Sequence, residues 1–419
     1  MKKICLVFLL LVSWAAAQDS SLTARLRSLP GVAVRTVHPD SGFRQAFEIT
    51  FTQPLDHNRP NGPQFTQRII LSHRDVRRPV VLVTEGYRFY SNHTRELSLL
   101  LQANEIRVEH RYFGHSRPDS LDWRYLTIEQ AAADHHRIVQ MFKKIYTGKW
   151  LNTGWSKGGQ TALFHRYFYP HDVVATVAYD APLNLQKEEK RIDRFFDKVG
   201  SSYCRQKIKQ FQLAALRHKN ELLPLFEKYA AQKHYSYSIG QTAALEYAIL
   251  EYPFSFWQYH HIPCDSIPAT GADAQRIFAH LKRVVALSSY CDRALNSPAM
   301  YQFFTQLGYY GYVRNGLEPY LSGAYGYSNI IFAPQAARGH YDPRPMRRIE
   351  RWLQSKARHI MLLYGARDPW SACAVNTGGN PGLVEAFLPQ GNHFTFLNCF
   401  PAERKQMLLK ILRHWLGEE

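Results

Sequence analysis

Gly154-Trp155-Ser156-Lys157-Gly158 is a G-x-S-x-G pentapeptide, and its reading decides the fold. In a nucleophile elbow the serine occupies a strand-to-helix turn so sharp that its backbone is strained. Only small residues two positions to either side let strand and helix approach there. The flanks have the matching layout. Residues 149–153 read as a short strand, and residues 159–167 have the apolar spacing of a buried helix, with Pro170 as its stop. The same pentapeptide arises by chance in unrelated chains, so the elbow depends on the partners that a serine nucleophile needs.

Those partners occur in order. An α/β-hydrolase fold presents Ser, then Asp or Glu, then His, each on a loop after a strand. Residues 359–364 form an apolar run of strand length, and Gly365-Ala366-Arg367-Asp368-Pro369-Trp370 follows as a turn, which makes Asp368 the acid candidate. Residues 383–388 read as the last strand, and Pro389-Gln390-Gly391-Asn392-His393-Phe394 brings back His393 as the base candidate. An Asp before Pro is often only a turn former, and a histidine taken singly is more often a surface or core residue. The succession of strand, acid loop, strand and histidine loop singles these two out.

Upstream, residues 43–53 and 65–72 alternate as antiparallel strands joined by the turn-rich segment 56–63. Residues 79–84 are a continuous apolar run suited to a parallel strand buried on both faces. Glu85-Gly86-Tyr87 follow it, where this fold places its second oxyanion donor. The expected donors are therefore the backbone N–H groups of Lys157 and of Gly86 or Tyr87, with the Lys157 side chain expected on a helix surface. Glu85 is a candidate anchor for a peptide α-ammonium. A salt bridge to Arg88 or Arg111 is its alternative role, and Glu246 or Glu251 would then be the next carboxylates to consider. Strands at 105–109 and 173–179, and a helix from Thr127-Ile128-Glu129-Gln130 with capping-box spacing to Tyr146, complete the pattern. Such alternation implies an α/β fold with a mostly parallel sheet covered on both faces.

Between Gln186 and Gln335 the character changes. Helical patterns at 188–197, 205–231, 241–251 and 273–288 replace the alternating strands, as expected of a helical cap inserted over the serine. An aromatic-rich tract follows, with Tyr301, Phe303, Phe304, Tyr309, Tyr310 and Tyr312 among its rings. It suits equally a pocket for a proline ring and the packing of a glycine-rich loop. The expected organisation is a leader at 1–17, an α/β-hydrolase core at 18–185 and 336–419, and the cap at 186–335.

Gln53-Pro54-Leu55-Asp56-His57, Phe65-Thr66-Gln67-Arg68, Glu85-Gly86-Tyr87, residues 109–116, Gly154-Trp155-Ser156-Lys157-Gly158-Gly159, Asp368-Pro369-Trp370 and Gly391-Asn392-His393 together resemble the secreted bacterial serine tripeptidyl aminopeptidases of the prolyl-aminopeptidase type. The chain is also distantly similar to the lysosomal prolyl carboxypeptidase and dipeptidyl peptidase II group, in which a tyrosine stands where Lys157 does here. The resemblance implies a serine exopeptidase that releases short peptides, tripeptides first among them, from free N-termini, with proline near the cut. A lipase or carboxylesterase would use the same triad but would want an apolar acyl groove. A non-catalytic secreted binding protein on this fold is the other alternative, and an intact Ser156, Asp368 and His393 argues against it.

Met1-Lys2-Lys3, an apolar run and Ala15-Ala16-Ala17 read as a signal peptide, so the protein is expected to be secreted or periplasmic. The run is shorter than the roughly 20 residues that span a bilayer, and no integral membrane segment is expected. The formal net charge is +18, but the basic residues are scattered, and the densest stretches, 137–149 and 344–351, carry apolar residues at helical spacing. They read as solvated helix faces rather than a nucleic-acid footprint. No C-x-x-C or H-E-x-x-H occurs, and the adjacent pairs His135-His136 and His260-His261 do not converge on one metal. No cofactor or metal is therefore expected. Beyond the leader stand Cys204, Cys264, Cys291, Cys373 and Cys399. An odd number leaves one free thiol or an intermolecular bond if the others pair. Cys373 and Cys399 follow the acid and base on loops that must converge, and a bridge between them is the expected pairing.

Overall fold

The computed structural model describes residues 21–89, 93–259 and 261–418. The leader read at 1–17 lies outside the described residues. Nine strands form one sheet: β1 (Val32–Val37), β2 (Gln45–Pro54), β3 (Gln64–His73), β4 (Val80–Thr84), β5 (Asn104–Val108), β6 (Trp150–Trp155), β7 (Ala175–Tyr179), β8 (Ile360–Gly365) and β9 (Leu383–Leu388). Their order is β1-β2-β3-β5-β4-β6-β7-β8-β9. The β1–β2, β2–β3 and β3–β5 pairs are antiparallel, whereas β4–β5, β4–β6 and β8–β9 are parallel. Every residue of β4, β5, β7 and β8 is buried, as expected of parallel strands covered on both faces. With the strand-turn-helix elbow described below, this is an α/β-hydrolase fold. β1 is half exposed along its length, and its apolar residues Val32, Ala33, Val34 and Val37 are broken by Arg35 and Thr36, so it lacks the uninterrupted run of the fully buried strands.

The chain divides into two compact units. The first holds residues 1–154, 161–176 and 406–419. Its core joins Phe47, Ile69, Leu82 and Ile106 of the sheet to Ile138 and Phe142 of α1 (Ile128–Phe142). The Thr127 side chain caps α1 by accepting from the Gln130 N–H at 3.2 Å. Motifs far apart in sequence meet in this unit. Arg111 donates through Nε and Nη2 to Asp134 at 2.7 and 2.9 Å, His57 Nε2 lies 2.6 Å from the same carboxylate, and Arg111 Nη1 donates to the Leu55 carbonyl at 3.0 Å. Arg111 and Asp134 are fully buried, so the pair persists only because its geometry satisfies both charges.

The second unit holds residues 155–160 and 177–405. It opens at Trp155 with the first turn of α2 (Lys157–Phe168), whose remainder belongs to the first unit, and carries α3 (Lys190–Phe196), α4 (Ser202–Arg217), α5 (Lys219–Lys233), α6 (Gln241–Tyr259), α7 (Ala274–Val284) and α8 (Arg344–Ser355); α9 (Ala402–Leu416) starts in it and ends in the first unit. The single helix expected over 205–231 is two, since His218 closes α4 and opens α5. Helix α6 runs past the expected stop at Glu251 with Pro253 inside it. Proline lacks the N–H that would bond the carbonyl four residues earlier, and Gln212 Nε2 serves that Ile249 carbonyl instead, at 2.9 Å.

The disulfide joins Cys204 to Cys264, and Cys291, Cys373 and Cys399 are free. This overturns the expected Cys373–Cys399 bridge. Cys373 is buried against Ile192, Phe254, Tyr310 and Trp370, whereas Cys399 is exposed with its Sγ toward the Phe394 carbonyl. The two loops are joined by a hydrogen bond between acid and base, so their convergence needs no covalent tie.

Candidate active site

Strand β6 delivers its last residue, Trp155, into a turn, and Ser156 follows with φ +57° before α2 begins. That left-handed conformation is strained for a residue with a side chain. It is held on both sides: the Ser156 N–H donates to the Tyr179 carbonyl at 2.8 Å, and the Ser156 carbonyl accepts from Gln160 N–H at 3.0 Å. The anchor at Tyr179 is the end of β7, so the next strand of the sheet fixes the elbow.

Strand β8 ends at Gly365, and a turn bonded from Asp368 N–H to the Gly365 carbonyl at 3.1 Å presents the acid. Asp368 Oδ2 meets His393 Nδ1 at 2.6 Å, and Oδ1 accepts the Trp370 N–H at 3.2 Å. Both side chains are buried, at 0% and 2% exposure. An ionised carboxylate accepts only, so the proton of this bond sits on Nδ1, leaving Nε2 as the ring's acceptor. The His393 backbone is held from two directions, its N–H donating to the Gln258 carbonyl at 3.0 Å and its carbonyl accepting from Trp155 Nε1. The Trp155 ring lies 5.0 Å from the imidazole and stacks on Phe394 at 5.3 Å, and Tyr259 of α6 meets the imidazole edge-on at 6.0 Å. The base is thus braced against the residue before Ser156 and against the end of α6.

A residue the sequence reading passed over completes this cluster. Asp180 follows β7 directly, and one oxygen of Asp180, one of Asp368 and a ring nitrogen of His393 lie within 4.8 Å of one another. Among the described residues this is the one His, Cys, Asp and Glu group close enough to hold a metal ion, and a cation there would compete for the Asp368–His393 bond. Its position at the carboxyl end of a sheet strand, where α/β folds place their sites, is the sequence signal that could have found Asp180.

The remaining candidates fall differently. Glu85, Gly86 and Tyr87 follow β4 in the first unit. Glu85 accepts from Arg107 Nε at 2.6 Å and Arg95 Nη2 at 2.8 Å, so its charge is matched by arginines other than the Arg88 or Arg111 expected. This removes the case for Glu85 as an amine anchor. The Lys157 side chain is buried rather than on a helix surface, and burial pulls its ammonium well below the usual lysine range. Glu246 is matched by Lys219, Ser322 and Tyr327. Glu251 accepts from Tyr310 OH at 2.7 Å and Ser255 Oγ at 2.9 Å, with no cationic partner among the described residues. Burial raises its carboxyl to about 7 against the pull of those hydrogen bonds. Tyr310 stacks on Phe254 at 3.8 Å and packs on Trp370 at 5.6 Å, so Glu251 is one tyrosine removed from the acid loop. Phe254, Trp257, Tyr310 and Tyr312 also line a cavity of about 330 Å³. The aromatic tract therefore both packs and lines a hollow.

The family profile described as PS-10 peptidase S37 matches residues 15–399. The prolyl tri/tetrapeptidyl aminopeptidase of Streptomyces mobaraensis is 34% identical over 424 residues, covering 96% of this chain and 88% of the relative. The lysosomal Pro-X carboxypeptidase of Bos taurus is 22% identical over 391 residues, covering 76% and 75%. No helix among the described residues is long and apolar enough to cross a membrane.

Proposed function

The chain belongs to the S37 family of serine peptidases, and from that premise we propose that it is an exported exopeptidase releasing tri- or tetrapeptides from free N-termini, with proline near the cut, through Ser156, His393 and Asp368. The observation that carries this is the buried 2.6 Å Asp368–His393 bond braced on Trp155, next to a strained Ser156. His393 Nε2 takes the Ser156 hydroxyl proton as Oγ attacks the scissile carbonyl, and Asp368 stabilises the imidazolium. The tetrahedral oxyanion is held by the Lys157 backbone N–H. Collapse expels the amine of the shortened peptide, protonated by His393, and leaves an acyl-enzyme. Water, deprotonated by the same imidazole, then releases the short peptide and restores Ser156.

The α-ammonium anchor in this proposal is Glu251. Its support is a buried carboxylate without a cationic partner among the described residues, next to aromatic rings that pack on the acid loop. An acetylated substrate offers that carboxyl no cation to pair with, so acetylated peptides should be cut slower by about two orders of magnitude or more. Mass spectrometry of products from a library of free and N-acetylated peptides tests the assignment. Short N-terminal fragments from the free peptides alone are expected. Equal cleavage of both sets refutes the aminopeptidase reading, and turnover confined to fatty-acid esters would replace it with the lipase reading.

A further inference from the structure

Asp180 lies outside the triad yet is built into its foundation. It follows β7 in the left-handed region, φ +43°, where only a locally anchored side chain is comfortable. Its N–H donates to the Leu363 carbonyl at 2.7 Å, and its Oδ1 accepts the Gly365 N–H at 2.8 Å. Backbone and side chain alike are therefore fastened to the end of β8, the strand that presents Asp368. The backbone amide of Thr395, on the loop that carries His393, faces the same carboxyl. The side chain is fully buried, and Oδ2 has no hydrogen-bond partner among the described residues.

The charged and titratable groups around it are few. Asp368 and His393 lie within 4.8 Å, the Tyr364 phenol approaches from β8, and the Cys373 thiol faces Asp368 from beyond. No Lys or Arg among the described residues acts on Asp180. Two buried carboxyls so close cannot both be ionised without a cation between them. Asp368 accepts from the His393 imidazole and from the Trp370 N–H, whereas Asp180 faces backbone amides alone and its Oδ2 has no hydrogen-bond partner among the described residues.

We propose that Asp180 is a positioning residue of the hydrolytic site: a neutral carboxyl that clamps the end of β8 to the histidine loop and leaves Asp368 as the one negative charge facing the imidazole. Burial, reinforced by the Asp368 charge, drives the Asp180 carboxyl well above the ordinary carboxylate range, in keeping with this protonation. The role rests on the Ser156-His393-Asp368 reading. Substitution of Asp180 by a group without the clamp should loosen the acid-base geometry, while a neutral group of the same shape should restore it.

Asp180→Ala and Asp180→Asn distinguish the clamp from bulk packing, with folding checked by circular dichroism and melting. Asp180→Ala should lower kcat by about 10- to 100-fold with KM within about twofold, the cost of a loosened catalytic geometry. Asp180→Asn, neutral at every pH and still an acceptor for Gly365, should restore kcat to within about threefold and leave the acid limb of the kcat/KM profile where the wild type has it. An Asp180→Ala enzyme with wild-type kcat overturns the proposal, and so does an Asn variant as impaired as Ala. A limb moved to lower pH by a unit or more in Asp180→Asn also overturns it, because the wild-type residue would then have been charged. If Asp180→Ala does not fold, the Asn profile decides alone. Ser156→Ala runs beside them: peptide turnover by that variant fails the triad reading itself, whereas an inert Ser156→Ala with an unimpaired Asp180→Ala fails only the role of Asp180.

Discussion

Gly365→Ala tests whether the acid and base loops work only at the separation the fold imposes. A Cβ at Gly365 would stand 2.2 Å from the Asn392 carbonyl oxygen, 2.6 Å from the Gly391 carbonyl carbon and 2.6 Å from Thr395 Oγ1. Two of these are backbone atoms of the histidine loop and have no rotamer to escape into. Ordinary contact begins at 3.4 Å, so the loop must retreat by the difference between 3.4 and 2.2 Å, roughly 1.2 Å. His393 directly follows Asn392, and the retreat falls on its 2.6 Å bond to Asp368. Lengthened by that much, the bond passes out of hydrogen-bonding range. A misplacement of about 1 Å in a catalytic constellation costs on the order of 10²-fold, and overpacking adds about 1–3 kcal/mol of instability. Steady-state hydrolysis of a free-amine peptide should therefore show kcat lowered about 100-fold with KM nearly unchanged, and fluorophosphonate labelling of Ser156 slowed in step. Gly271→Ala, where an added Cβ meets nothing within 4 Å, should leave both unchanged. A folded Gly365→Ala enzyme with wild-type kcat would refute the reasoning.

Other outcomes follow from groups farther from the serine. Glu251, raised to about 7 by burial, binds its proton more tightly folded than unfolded; its stabilising contribution is full below pH about 4.5 and is lost as pH rises through about 7, some 3 kcal/mol in all. Glu251→Gln should remove that loss, so its melting temperature relative to wild type should climb between pH 5 and pH 8; a gap independent of pH would contradict a buried, titrating carboxyl. The Cys204–Cys264 bond closes a separation of 60 residues, for which chain entropy gives about 4 kcal/mol. Cys204→Ser should lower the melting temperature measurably by calorimetry, and an unchanged melt would mean that the bond constrains nothing the packing does not already hold.

Periodicity carries most of the fold. Parallel strands buried on both faces must be uninterrupted apolar runs, so residues 79–84 and 359–364 announce β4 and β8 without any knowledge of their neighbours. The elbow, the acid loop and the histidine loop are equally legible, because a serine hydrolase of this fold needs three residue types in one order. β1 was silent, since a half-exposed edge strand has no such run. Charge partners and thiol partners were also illegible: Glu85 pairs with Arg95 and Arg107, and Cys204 with Cys264, pairings decided by which side chains the chain's path brings within a few ångströms. Asp180 shows the division most clearly. In sequence it is one more acidic residue after a strand. Only the meeting of β7, β8 and the histidine loop buries it beside Asp368, and burial next to a like charge is what turns an ordinary aspartate into a neutral strut.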